Sequence, residues 1–214
     1  MGDPSPRDNW RAVQGGLFLV LSGVASLVPG LMLWPWQLLV PITAYFVLVV
    51  AIPRLRQTLG WLKVGRLDLL VLGWTAAVIV VSVLALIVFQ HLAQPDVSGV
   101  RARAPAIAFQ YPILFVIVFS FLNALLEEII FRGILLDALD SQIGLRWALL
   151  VQAVVFGTGH MLGGYPPGVV GAVLAAIYGL MLVMLRVHSR GLAAPYLAHV
   201  VADATIALMV LRPE

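Results

Sequence analysis

Six ionisable residues in the second half of the chain lie within long apolar stretches of sequence. They are Glu127, Glu128, Arg132, His160, His199 and Asp203. In an apolar environment a carboxylate beside an imidazole can activate a water molecule, because desolvation raises the proton affinity of the carboxylate and the imidazole shares or orients the proton. These residue types therefore predict hydrolysis by an activated water.

The spacing of these residues separates the two neighbouring carboxylates. Glu128 and Arg132 are four residues apart, so on a helix they share a face and can form an ion pair. Glu127 is turned by about 100° from Glu128 and projects from a different line of the helix. We expect Glu128 to be paired locally and Glu127 to be available for chemistry.

His199 and Asp203 are also four residues apart and share a helix face. A second imidazole with an acid beside it can hold a substrate carbonyl, stabilise its oxyanion or complete a metal site. The chain has no cysteine. A thiolate nucleophile is therefore excluded, and any metal would be bound by His and carboxylate groups.

The chain length between the motifs predicts their depth in the membrane. Glu127 lies about sixteen residues before a turn near Gly144 and His160 about sixteen after it, so each lies about 24 Å along its helix. The two side chains are therefore expected at similar depth. Small residues around His160 predict close backbone approach or local unwinding there. These are Gly157, Gly159, Gly163 and Gly164.

The composition excludes an ordinary soluble domain. The 214 residues are 62% hydrophobic and 11% charged, whereas about a quarter of the residues in soluble domains are charged. The net charge of +3 is explained by basic loops at a membrane surface, so no nucleic-acid partner is expected. The lipid bilayer is the expected surrounding of the chain.

Seven apolar runs have about the length of a transmembrane helix. They are Gly15 to Trp34, Gln37 to Ile52, Asp68 to Phe89, Tyr111 to Leu139, Leu145 to Met161, Gly168 to Val187 and Leu192 to Leu211. We predict an all-α fold, a polytopic transmembrane helical bundle of about seven (six to eight) spans. No repeat or linker divides the chain, which predicts a single integral membrane domain over residues 1–214, with the motif-bearing catalytic half at about 111–211.

The basic residues sort unequally between the two sides of these spans. One side holds nine, Arg7, Arg11, Arg54, Arg56, Lys63, Arg66, Arg146, Arg186 and Arg190, and the other three, Arg101, Arg103 and Arg212. Because cytoplasmic loops are enriched in Lys and Arg, the N-terminus is predicted to be cytoplasmic. We expect the inner membrane of a bacterium. Asp137 and Asp140, near the cytoplasmic end of the fourth span, are interpreted as solvated boundary residues.

Three motifs follow one another on the late spans. They are Glu127-Glu128-x-x-x-Arg132, Phe156-x-x-x-His160 and His199-x-x-x-Asp203. The ordered set resembles the signature of the CPBP (CAAX protease and bacteriocin-processing, also called ABI) intramembrane endopeptidases, which include the Ras-converting CAAX prenyl endopeptidase. The resemblance extends over about Leu122 to Leu208, less than half of the chain.

The resemblance implies an intramembrane protease that cleaves a peptide or membrane-protein substrate. It also assigns roles to the residues of the first two motifs. Glu127 is the general base that activates the attacking water together with His160. Glu128 supports the site and Arg132 holds it in place.

The resemblance further implies that His199 and Asp203 form the oxyanion-stabilising pair. The last position is commonly Asn in the prenyl endopeptidases. An ionised Asp cannot donate a hydrogen bond as an amide does, so Asp203 is expected to orient His199 or to be protonated. The family has been described both as metalloproteases and as glutamate-type proteases. A divalent metal such as zinc, if one is used, would have as candidate ligands Glu127, His160, His199 and Asp203.

Two other classes of function remain open. A proton-coupled transporter can also line a path with Glu, Arg, His and Asp, but it would be favoured by an inverted repeat, and the polar residues here are confined to the second half. The other alternative is a non-catalytic membrane scaffold or bacteriocin-immunity protein of the same fold.

Overall fold

A computed structural model describes residues 6–212, apart from the side chains of Pro6, Arg7 and Leu162. The ends of the predicted 1–214 domain and the side chain of the predicted cytoplasmic Arg7 therefore lie outside the described part. Seven long helices occur at the seven predicted positions. They are α1 (Pro6–Ser26), α2 (Trp36–Ala51), α3 (Leu69–Ala93), α4 (Pro112–Ile143), α5 (Leu145–Gly163), α6 (Gly168–Ser189) and α7 (Ala193–Leu211). Residues 6–212 contain no strand, and the predicted all-α fold is confirmed.

Four of the helices are long and apolar enough to cross a membrane by themselves: α3, α4, α6 and α7. A fifth span results if α2 is joined to the segment Pro53–Trp61, which is bent away from it by 107°. Among the described residues, α1 does not meet the same test, because its first turns carry polar residues such as Arg11. The chain is an integral membrane protein.

The described part of the chain forms two compact units. The first consists of Met1–Lys63 and Leu126–Gln152, and the second of Val64–Leu125 and Ala153–Glu214. The first unit therefore contains α1, α2 and the later part of α4. The second contains α3, α6, α7, the early part of α4 and the end of α5.

A buried polar network joins the helices of the first unit. The side chain of Gln14 is fully buried, and its Oε1 accepts hydrogen bonds from the hydroxyls of Tyr45 and Thr58, each at 2.7 Å. Its Nε2 donates to Asp137 at 2.7 Å. Because a buried amide needs partners for both ends of its side chain, Gln14 connects α1 to α2 and to the end of α4.

Arg11 extends this network to the last turns of α4. Its guanidinium is 2.9 Å from Asp137 and 2.8 Å from Asp140. Burial alone would lower the pKa of Arg11, but hydrogen bonds and charge attraction from the two carboxylates raise it above its ordinary value. Asp137 and Asp140, interpreted from the sequence as solvated boundary residues, are partly exposed and are also ion-paired to α1.

Two apolar clusters hold the second unit together. One includes Val71 of α3, Leu182 of α6 and Ala198 of α7, and the other includes Leu86 and Ala202. At one end, the backbone N–H of Ala193 donates to Val64 and that of Arg66 donates to Ser189, at 3.0 and 2.8 Å. Both contacts join the start of α3 to the connection between α6 and α7. The clusters and these hydrogen bonds fix the helices that carry the carboxyl-terminal motif.

Candidate active site

The first motif lies in the part of α4 that belongs to the first unit. Here α4 changes from an α-helix to a π-helix, which covers Glu128–Leu135. The Arg132 guanidinium lies 3.0 Å from a carboxylate oxygen of Glu128, and both side chains are almost completely buried. The ion pair predicted from the four-residue spacing is present. Such π-helical turns inside α-helices occur often at functional sites.

Glu127 is the last α-helical residue before this π-helical turn. Glu127 is partly exposed, whereas Glu128 beside it is buried. The two neighbouring glutamates therefore differ in burial, as the sequence predicted. The exposure of Glu127 belongs to the residue as a whole, since its Oε2 atom is buried, whereas Glu128 is engaged by Arg132.

The second and third motifs line one pocket of the second unit. His160 comes from α5, and His199 and Asp203 come from α7. The pocket has a volume of about 80 Å³. Its remaining wall is mainly apolar and is built by α3, α6 and the residues after α5. This wall includes Val81, Ala85, Leu86, Leu174, Ile177 and Met181. The two histidines and the acid therefore face an apolar space, as the hydrolysis hypothesis requires.

The orientation of His160 is set by its own helix. Its Nδ1 is 3.0 Å from the backbone carbonyl oxygen of Phe156, one turn earlier. A carbonyl only accepts hydrogen bonds, so Nδ1 carries the proton in this contact. In the neutral imidazole Nε2 is then the acceptor. His160 can thus accept a proton, or a hydrogen bond from water, through Nε2.

Phe156 and Tyr178 position the imidazoles by packing. The Phe156 ring centroid is 4.5 Å from that of His160 and 5.9 Å from that of His199. The Tyr178 ring lies edge-on to His199, with centroids 5.8 Å apart. The Phe of the second motif is fully buried and contacts both histidines. It is therefore a packing residue that determines where the imidazoles lie.

His199 and Asp203 are close together, and a third residue joins them. Nε2 of His199 lies 3.7 Å from one carboxylate oxygen of Asp203. The other carboxylate oxygen accepts a hydrogen bond of 3.1 Å from the side-chain amide of Asn123, on α4. All three side chains are buried. The predicted proximity of the pair is present, and Asn123 is an additional member of the site.

The sequence reasoning missed Asn123 and Tyr178. A signal for Asn123 was available, because it is an amide within the apolar run of α4 and lies four residues before Glu127. Polar residues inside membrane spans are often functional, but only ionisable residues were considered as candidates. Tyr178 had no such signal, because an aromatic residue in an apolar span is usually a packing residue.

Close backbone approach near His160 occurs at Gly157 and Gly164, two of the four glycines singled out in the sequence. A Cβ atom on Gly157 would overlap the backbone carbonyl of Ala172 and approach the Ala176 side chain to 2.8 Å. A Cβ atom on Gly164 would lie 2.9 Å from Cα of His160. By contrast, a Cβ atom on Gly159 would meet nothing within 4 Å. The close approach predicted for this segment is therefore present at Gly157 and Gly164, and absent at Gly159.

We expect Gly157→Ala to destabilise the protein by about 1–3 kcal/mol and to lower activity, because the added methyl group forces α5 away from α6. Gly159→Ala is the matched control on the same helix. It should be neutral or stabilise by up to about 1 kcal/mol, because Gly is a poor helix former. Thermal unfolding in detergent checks both variants. Equal melting temperatures for the two would contradict the close contact.

The described side chains do not form a recognisable metal site. Over residues 6–212, no three His, Asp or Glu side chains are grouped so that they could hold a metal ion. Of the predicted candidate ligands, His160, His199 and Asp203 lie together in the second unit and are not grouped as a zinc site.

The family model Type II CAAX prenyl endopeptidase Rce1-like matches residues 108–205, just under half of the chain. The matched segment contains all three motifs and Asn123. No curated protein and no solved structure matches the chain significantly. The resemblance predicted from the three motifs is confirmed by this match over residues 108–205.

Proposed function

We propose that this protein is an intramembrane endopeptidase that hydrolyses a peptide bond in a membrane-associated peptide or protein. The observation that carries the proposal is the pocket of the second unit. There His160, His199 and Asp203 line a mainly apolar cavity, within the segment that matches a protease family. Buried ionisable groups around a pocket mark a candidate catalytic site.

In the proposed mechanism Glu127 is the general base and His160 assists it. Water oxygen attacks the scissile carbonyl carbon, and the proton of the water passes to Glu127. Nε2 of His160 accepts a hydrogen bond from the same water. The resulting oxyanion is stabilised by His199, and the C–N bond then breaks as the proton is transferred to the leaving amine. The products are one carboxylate and one amine.

Glu128 and Arg132 have a supporting role in this proposal. Their buried ion pair neutralises both charges inside the protein and holds the π-helical turn that follows Glu127. Asp203 is proposed to orient His199, because its carboxylate faces Nε2 of that ring. Neither role requires direct contact with the substrate.

The shape of the pocket supports a preference for a small apolar side chain in the substrate. A cavity of about 150 Å³ accommodates a benzene ring, whereas the volume here is about 80 Å³. The cavity wall includes several aliphatic residues of α3 and α6. We therefore propose that an aliphatic side chain next to the scissile bond occupies the cavity.

The test is hydrolysis by the purified full-length protein in lipid vesicles. A library of membrane-associated peptides is incubated in water enriched in ¹⁸O, and the products are analysed by mass spectrometry. The proposal expects a single cleavage site with one ¹⁸O in the new carboxyl group. Ion transport without cleavage would favour the transporter alternative. Binding without either activity would favour the scaffold or immunity alternative.

We expect removal of divalent metals to leave the hydrolysis rate within about twofold, because the described His and carboxylate groups do not form a metal-ligand set. The measurement is the cleavage rate before and after treatment with a chelator, together with metal analysis of the protein. Loss of activity that zinc restores would contradict the metal-free mechanism.

The orientation in the membrane is part of the proposal. The predicted excess of basic residues on the N-terminal side supports a cytoplasmic N-terminus. The inner membrane of a bacterium is the proposed location. Because the chain has no native cysteine, single introduced cysteines can report the side of each loop.

A further inference from the structure

Asn123 and His199 lie at different oxygens of the Asp203 carboxylate. Oδ2 accepts from the Asn123 amide at 3.1 Å, and Oδ1 faces Nε2 of His199 at 3.7 Å. A carboxylate in a buried position needs hydrogen-bond donors, because it can only accept. Asn123 therefore donates to one oxygen of this carboxylate, and His199 lies near the other.

We propose that Asn123 is a positioning residue of the active site. Its amide fixes the rotation of the Asp203 carboxylate, so that Oδ1 faces the imidazole of His199. The proton of that imidazole then resides on Nε2, toward the carboxylate. A doubly protonated ring would present a second N–H, at Nδ1, to a developing oxyanion.

A neighbouring contact besides the Asn123 amide joins α4 to α7. The hydroxyl of Tyr196 on α7 donates to the backbone carbonyl of Phe121 on α4 at 3.3 Å, and the two rings also make an edge contact. The packing between these helices therefore has support besides the amide. Removal of Asn123 should alter the orientation of Asp203 more than the position of α4.

Ser120 provides a matched control one turn earlier on α4. Its side chain is buried like that of Asn123, but its hydroxyl donates to the carbonyl of Val116 in its own helix, at 2.6 Å. A substitution at Ser120 therefore removes a buried polar group without removing a contact to α7. The effect of this substitution on activity shows how much is lost when any buried polar side chain on this helix is removed.

The first readout is kinetic and rests on the proposed endopeptidase function. We expect Asn123→Ala to lower kcat by about 10- to 100-fold with KM within about twofold, because a misplaced catalytic group slows chemistry more than binding. Ser120→Ala should leave both constants within about twofold. In an Asp203→Ala background, Asn123→Ala should have no further effect, since the group that it orients is gone.

The second readout does not depend on activity. The ¹⁵N signals of the His199 ring are identified by their absence in His199→Gln protein. We expect Asn123→Ala to shift the Nε2 signal, and Ser120→Ala to leave it unchanged. Asn123→Leu has a similar shape and serves as the second variant if the Ala variant fails to fold.

These readouts separate failure of this inference from failure of the proposed function. If wild-type protein hydrolyses no peptide, the proposed function fails and the ¹⁵N shift still decides the role of Asn123. An unchanged Nε2 signal in folded Asn123→Leu protein overturns the positioning role. If the protein is active, the positioning role is also overturned when Asn123→Ala lowers kcat by the same factor in wild-type protein and in Asp203→Ala protein.

Discussion

Replacing His160 with Ala should lower kcat by about 10²- to 10⁴-fold, the range of contributions from a general acid or base. The imidazole lines the pocket, and its Nδ1 is engaged by Phe156, which leaves Nε2 to act on water. Glu127→Gln should cause a loss in the same range, because the amide cannot take up the proton of the attacking water. The measurement is the cleavage rate of a peptide by protein of verified folding.

A double variant tests whether the two residues act together. If Glu127 and His160 activate one water, Glu127→Gln combined with His160→Ala should be little slower than the slower single variant. His188→Ala is the matched control, because this exposed imidazole at the end of α6 is not among the residues that line the pocket. Its rate should equal that of the wild type. Equal rates for wild type, Glu127→Gln and His160→Ala would contradict the protease mechanism.

Arg132→Ala should destabilise the protein by about 3–5 kcal/mol, because it leaves the charge of Glu128 buried without its ion-pair partner. Arg132 is 0% and Glu128 1% exposed, and their charged atoms are 3.0 Å apart. The measurement is the free energy of unfolding in detergent. Replacing both residues, as Glu128→Gln and Arg132→Met, should lower the free energy of unfolding by less than Arg132→Ala alone, since no charge then remains uncompensated.

The exposed pair Arg66 and Asp68 is the matched control for this prediction. Its charged atoms are 3.8 Å apart and its side chains are 52% and 50% exposed. Water screens such a pair, so Arg66→Ala should cost less than about 1 kcal/mol. A loss on Arg132→Ala as small as that on Arg66→Ala would show that the buried pair does not stabilise the π-helical turn.

The helices were predictable because a membrane-spanning helix is apolar over nearly its whole length. The predicted run Asp68 to Phe89 corresponds to α3, and Gly168 to Val187 corresponds to α6. The predicted ends of the helices were less accurate. The first predicted run, Gly15 to Trp34, lies later than α1, which ends at Ser26. Helix ends depend on capping and on tertiary contacts, which an apolar run does not contain.

Contacts between side chains distant in the sequence were the least predictable. Arg11 binds Asp140, 129 residues away, and Asn123 binds Asp203, 80 residues away. The i,i+4 pair of Glu128 and Arg132 was predictable because helix geometry alone brings its members together. No comparable local rule indicates which of many polar side chains will meet across two helices.

The sequence by itself determined that the chain lies in a lipid bilayer, that its fold is helical and which residues form the three motifs. Composition and short spacings are local properties of the chain. It also determined that Glu128 and Arg132 pair. Only the tertiary structure decided that the turn after Glu127 is π-helical and that His160 and His199 share an apolar pocket. It also decided that an amide from α4 reaches Asp203. These features arise from helix packing, in which the position of each side chain depends on neighbours supplied by distant parts of the chain.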